Sequence, residues 1–298
     1  MNRYDGPQRI VCLTGETAET LYLLGEDERI VGISGFTSRP KEALQKPKVS
    51  TFTSAKIEQI LDLRPDLVIG FSKLQAQIAH DLIKAGVNVL VFNQRSVEEV
   101  LETILTVARL VAAESRGLAL VERLRSELAQ IAESARRFPR RPRVYFEEWM
   151  DPLISGIRWV DELIELAGGE GIFPHLRCER DAKRRTVTPD SVVAANPEVI
   201  LASWCGRKVD KDKIRAREGW AAVDAVRSGH VYEVKSSYIL QPGPASLTEG
   251  VRQLHAILGS VVNCEPAEGL VPSEPLDPDV VRRDAAGRED AAREEIRT

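Results

Sequence analysis

The stretch Ile57 to Gly70 (IEQILDLRPDLVIG) aligns without a gap to Pro189 to Ala202 (PDSVVAANPEVILA). Each copy reads as a short helix, a proline, an acidic residue and then apolar residues of strand type. Two further matches keep the same order: Leu21–Gly25 is answered by Leu163–Gly168, and Ala85–Val89 by Ser228–Tyr232. Ordered self-similarity of this kind means one structural unit used twice. The chain is therefore expected to fold as two similar α/β lobes.

Strands are expected at 9–13, 30–34, 48–50, 66–71 and 88–92 in the first half, and at 144–149, 198–204 and 231–234 in the second. Helices alternate with them, at 16–24, 57–63 and 74–85, then at 159–167, from the Thr188-Pro189 start, at 220–226 and at 245–261. Apolar strands alternating with amphipathic helices imply Rossmann-like parallel sheets covered on both faces. Between the halves, Val97, Val100, Leu101, Ile104, Leu105, Ala108 and Val111 share one helix face, opened by a Ser96/Glu99 capping box. Leu118, Val121, Leu124, Leu128, Ile131 and Ala135 mark a second helix of about 20 residues, roughly 30 Å at the α-helical rise. It ends at the proline-bracketed run Pro139–Arg143, where helix cannot continue. The expected division is 1–95 for one lobe, 96–138 for a helical arm, 139–262 for the other lobe and 263–298 for a charged, mobile tail.

A length of 298 residues suits two cores better than one. With 41 basic and 45 acidic side chains the net charge is −4, which carries no signature of a nucleic-acid or anionic-membrane partner. Cys12, Cys178, Cys205 and Cys264 show no CxxC spacing and read as reduced thiols. No stretch reaches membrane-spanning length and Met1–Pro7 has no apolar core. As written the chain reads as cytoplasmic, and as periplasmic if a leader has been removed.

Open α/β sheets bind ligands beyond the carboxyl ends of their strands. Those ends bring Thr14, Glu16, Phe36, Phe71 and Gln94 in the first lobe, and Glu148, Trp149, Trp204 and Cys205 in the second, with Gln241 after the last strand. These ten form the expected ligand-binding set. Aromatics are 5% of the chain, yet several of its rings fall at strand ends, which suits a bulky, flat or apolar ligand. Glu147 and Glu148 are neighbours in a strand and face opposite sides, so at most one reaches the site. His175, Cys178 and Glu179 could ligate a metal, but Arg177, Arg180, Lys183, Arg184 and Arg185 crowd the same stretch and oppose a cation. That run reads as a solvated surface loop. No metal site, catalytic set, Gly-rich phosphate loop, HExxH or GxSxG is recognised.

Taken together, Arg9–Gly25 (RIVCLTGETAETLYLLG), Arg29–Ile33, Lys56–Leu61, Arg64–Ile69, Asp161–Gly169, Asn196–Ile200, Gly219–Tyr232 and Gln241–Pro244 carry a resemblance. Over residues 9–260 the chain resembles the substrate-binding proteins of ABC importers for cobalamin, haem and iron siderophores, most closely the cobalamin-binding branch. The resemblance implies two lobes joined by a long rigid helix, a small-molecule ligand (cobalamin or another metal chelate) in the cleft between them, no tightly bound cofactor, and an ABC permease as partner. It places Phe71 at the family's aromatic position after the third strand, and Trp149 and Trp204 at second-lobe positions. Family members dock their permease through an exposed carboxylate on each lobe, and where the first is expected this chain has Gln75 and Gln77. A cytosolic relative that keeps the ligand site without the permease is the reading this leaves open. The alternative from another class is a cytosolic enzyme on the same scaffold, using Cys205 or a cleft carboxylate.

Overall fold

The acidic residue after each repeated proline does the same job in both copies. Asp66 accepts the backbone amides of Gln8 and Arg9 at 2.7 and 3.0 Å, and its own amide returns a bond to the Arg9 carbonyl. Glu198 accepts the Arg143 amide at 3.0 Å, and its amide returns a bond to the Arg143 carbonyl. Arg9 then reaches the Leu63 carbonyl, and Arg143 the equivalent Ala195 carbonyl. The residue before each proline, Arg64 or Asn196, is left-handed, with φ of 48° and 44°. The repeat is a mechanical joint, used in both copies, that starts one strand beside another and is built from side chains that a hydrophobicity pattern alone does not record.

The computed structural model describes residues 5–267, 269–274 and 276. They divide into two units: residues up to Ser126 with Gln241–Leu247, and Glu127–Leu240 with the residues from Thr248 on.

In the first unit the strands are β1 (Ile10–Cys12), β2 (Ile30–Ser34), β3 (Lys48–Ser50), β4 (Leu67–Phe71) and β5 (Val89–Phe92). They form one parallel sheet in the order β3-β2-β1-β4-β5. Helices α1 (Gly15–Leu23), α2 (Ile57–Asp62) and α3 (Ala76–Lys84) connect them. Val11, Leu13, Val49, Ile60, Val68, Ile78 and Leu82 close one core cluster. Both faces of β1 and β4 are buried, which is why their sequences are apolar without alternation. Helix α4 (Val97–Leu110) opens on the Ser96/Glu99 capping box and belongs to this unit. After a turn through Ala112, α5 (Glu114–Ala135) begins here and ends in the second unit. The arm is therefore not a separate body. Where α4 and α5 meet, a Cβ at Gly117 would lie 2.4 Å from that of Ala108, which leaves no room there for a larger residue.

The second unit holds β6 (Arg143–Met150), β7 (Leu153–Ser155), β8 (Glu170–Gly171), β9 (Val199–Ala202) and β10 (Val231–Glu233). Their order is β10-β9-β6-β7, with β8 also on β6. Here β10-β9-β6 reproduces β5-β4-β1 of the first sheet, all parallel, whereas β7 is antiparallel and turns back through Asp151-Pro152. That hairpin was not expected; three residues are too few to show a period. Tyr145, Trp204, Trp220, Ile200, Ile214 and Val231 anchor the core, with Tyr145 edge-on to Trp220 at 6.1 Å. Helices α6 (Arg158–Leu166), α7 (Pro189–Ala195), α8 (Lys211–Arg215), α9 (Asp224–Arg227), α10 (Ser236–Ile239) and α11 (Val251–Val261) complete it.

The start of the expected mobile tail is instead packed. Leu270 is buried, and the amide and hydroxyl of Ser273 both donate to Glu249, at 3.0 and 2.7 Å. Residues 277–298 of that expected tail lie outside the described residues.

Candidate functional site

At the strand ends of the first unit, five of the expected residues gather around one returning segment. Gln241 donates from Nε2 to the Phe36 carbonyl at 3.1 Å, and Gln94 from Nε2 to the Pro242 carbonyl at 3.0 Å. Gly243 lies so close to Glu16 that a Cβ would come within 2.4 Å of the glutamate's own Cβ. Gly15 meets the Gln241 side chain in the same way. The Ala245 amide donates to Glu19, which also holds Arg39. Thr14, the residue before α1, is extended and buried beside Glu16.

Burial decides what each of these can do. Phe36 is 42% exposed and presents a bare ring at the rim. Glu16 is enclosed, its Oε1 has no protein partner, and burial pushes its carboxyl up to about 7 against smaller opposing contributions from its own backbone amide and the Thr14 hydroxyl. Phe71 is covered rather than offered: Phe52 lies 6.4 Å away and the Arg95 guanidinium sits 4.8 Å over its ring. Arg95, which the sequence reading did not select, thus occupies the face expected for a ligand.

Gln75 also turns inward. It accepts the Phe71 amide at 2.8 Å and donates to the Phe52 and Leu13 carbonyls, tying two strand ends together. Gln77 is exposed and donates to Asp81 at 2.9 Å.

In the second unit the Glu147/Glu148 alternation holds. Glu147 is fully buried, gripped by Arg217 at 2.5 and 2.9 Å and by the Trp204 indole N–H at 3.1 Å. Trp204, expected to face ligand, is therefore a core ring: 3% exposed and packed with Tyr145 and Trp220. A strand buried on both faces gives no alternation from which its direction could be read. Glu148 points the other way and pairs with Arg185 at 2.6 and 3.2 Å. The supposed surface arginine is 1% exposed, so that part of the basic loop is interior. Trp149 is half-buried, its indole N–H on the Asp151 carbonyl at 3.0 Å. Cys205 is exposed at the end of β9, and its thiol is raised, by the packing around it and then by Glu148. A nucleophilic cysteine needs the opposite shift.

Among the described residues no three metal-ligating side chains converge, and no helix is long and apolar enough to cross a membrane.

Comparison with known proteins agrees with this architecture. The family model described as periplasmic binding protein matches residues 10–238. An ABC transporter substrate-binding lipoprotein of Bacillus subtilis, YvrC, is 28% identical over 83% of this chain and 79% of its own. A vitamin B12-binding protein of Vibrio parahaemolyticus is 25% identical, over 80% and 86%. Among solved structures, the periplasmic haem-binding protein RhuT from Roseiflexus sp. RS-1 superposes with a TM-score of 0.70 at 25% identity, covering 85% of this chain and all of that one. With two α/β units and a family match over most of its length, this chain is a ligand-binding protein of the periplasmic binding protein family.

Proposed function

We propose that this chain captures a metal chelate of the cobalamin or haem class and hands it to an ABC permease. The observation that carries the reading is the family match across residues 10–238, in which similar proteins bear the names vitamin B12-binding and haem-binding. The rims supply suitable chemistry: the exposed Phe36 ring and the half-buried Trp149 for apolar area, and Gln241, Glu148 and the strand-end amides for orientation. Metal arrives inside the ligand, so the protein needs no resident ion or cofactor. The lipoprotein relative supports a place of work outside the cytoplasmic membrane.

Titration with cyanocobalamin, haemin and a ferric siderophore tests this, read by absorbance and by melting. A ligand present at a hundred times its Kd should stabilise by about 2.7 kcal/mol. Flat melting curves with all three overturn it. The permease step is tested separately: ligand-loaded protein should stimulate ATP hydrolysis by the reconstituted importer.

A further inference from the structure

The pair formed by Glu148 and Arg185 has an inside and an outside. The Arg185 side chain is 1% exposed and that of Glu148 21%. Arg185 Nη1 and Nη2 each hold one oxygen of the carboxylate, and Nη1 also donates to the Ser155 carbonyl on β7. A planar guanidinium fixed at three acceptors leaves Glu148 little rotational freedom. The cation is hidden, so what the end of β6 shows to a visitor is the carboxylate. Its influence extends to the end of β9, where it contributes to the raised Cys205 thiol. A ligand arm arriving there meets an acceptor with no proton to give. Arms that donate hydrogen bonds or carry positive charge fit it; carboxylate arms do not.

We propose that Glu148, set in place by Arg185, selects for metal chelates with amide or ammonium side arms and against those with carboxylate arms. This rests on the ligand reading above and narrows it toward amide-bearing, corrinoid-like chelates. Glu148 is the specificity determinant and Arg185 a positioning residue.

The test uses matched probes: cyanocobalamin against its derivative with one side-chain amide hydrolysed to a carboxylate, and haemin against its diamide. The protein should bind each amide form about tenfold or more tighter than the matching carboxylate. Glu148→Gln should erase that ratio, mainly by improving the carboxylate forms. Arg185→Lys keeps the charge but not the fork, and should shrink the ratio rather than scale all affinities together. Should that variant fail to fold, Glu148→Gln on the more exposed partner decides alone. Binding with no amide preference, or a preference unchanged in Glu148→Gln, overturns this inference and leaves the proposed function standing. If no probe binds at all, the functional reading fails and this inference fails with it.

Discussion

Glu16 ties the stability of the first unit to pH. Its carboxyl is raised from 4.5 to about 7 by burial, so the folded protein keeps a proton that the unfolded chain releases. Stability contributed by that protonated form is complete below about 4.5 and lost as pH climbs to about 7. The difference is of order 3 kcal/mol at 1.36 kcal/mol per unit. Glu16→Gln should therefore stabilise the first unit by about 2–3 kcal/mol at pH 8 and by little at pH 4, measured by urea unfolding at both. Trp204→Ala tests the reassigned ring: loss of a buried Trp and of its bond to Glu147 should cost about 3–5 kcal/mol, seen as a fall in the second unit's denaturation midpoint. Strand-end positions were legible in the sequence for Phe36, Gln94 and Gln241. The direction of Phe71 and Trp204 was not, because where both strand faces are buried the side-chain period disappears.

At the scale of elements, the duplicated joint was visible as a match between two short stretches, while its mechanism was not. Nothing in a Pro-Asp or Pro-Glu pair announces that the acid will hold the first amides of a neighbouring strand. Asp66→Ala and Glu198→Ala should each cost about 0.5–1.5 kcal/mol, because Asp66 accepts two backbone amides and Glu198 one, at sites water can still reach. Chemical denaturation followed by probes in each half should show Asp66→Ala weakening mainly the first unit and Glu198→Ala mainly the second; equal effects on both would contradict two equivalent joints. Helix α4 and the body of α5 were readable from their 3.6-residue period and capping box. Which unit owns them was not, since a stripe of leucines records that a face is covered without recording by what.

For the molecule as a whole, the acid response should be a sum over the two units. Asp161 in the second unit is also raised to about 7, by burial against the opposing pull of Arg177 and Arg185. It adds to Glu16 in the same direction, so both unfolding transitions should come at higher temperature near pH 6 than at pH 8, by scanning calorimetry. His255 sets the other limit. It is sealed between the Ala167 carbonyl and the Ser134 hydroxyl, stacked on Phe138, and burial lowers its pKa below 6.5. Its contribution is complete above 6.5 and declines as pH falls toward the folded-state value.

Residues 241–247 complete the first unit although the chain on either side of them belongs to the second. A ribosome making this protein releases the whole N-terminal sheet long before it makes Gly243 and Ala245, the partners that cover Glu16 and Glu19. The earliest-born half must therefore wait, its acidic helix start uncovered, until nearly all of its sister has been synthesised. No single proteolytic cut can yield both halves intact.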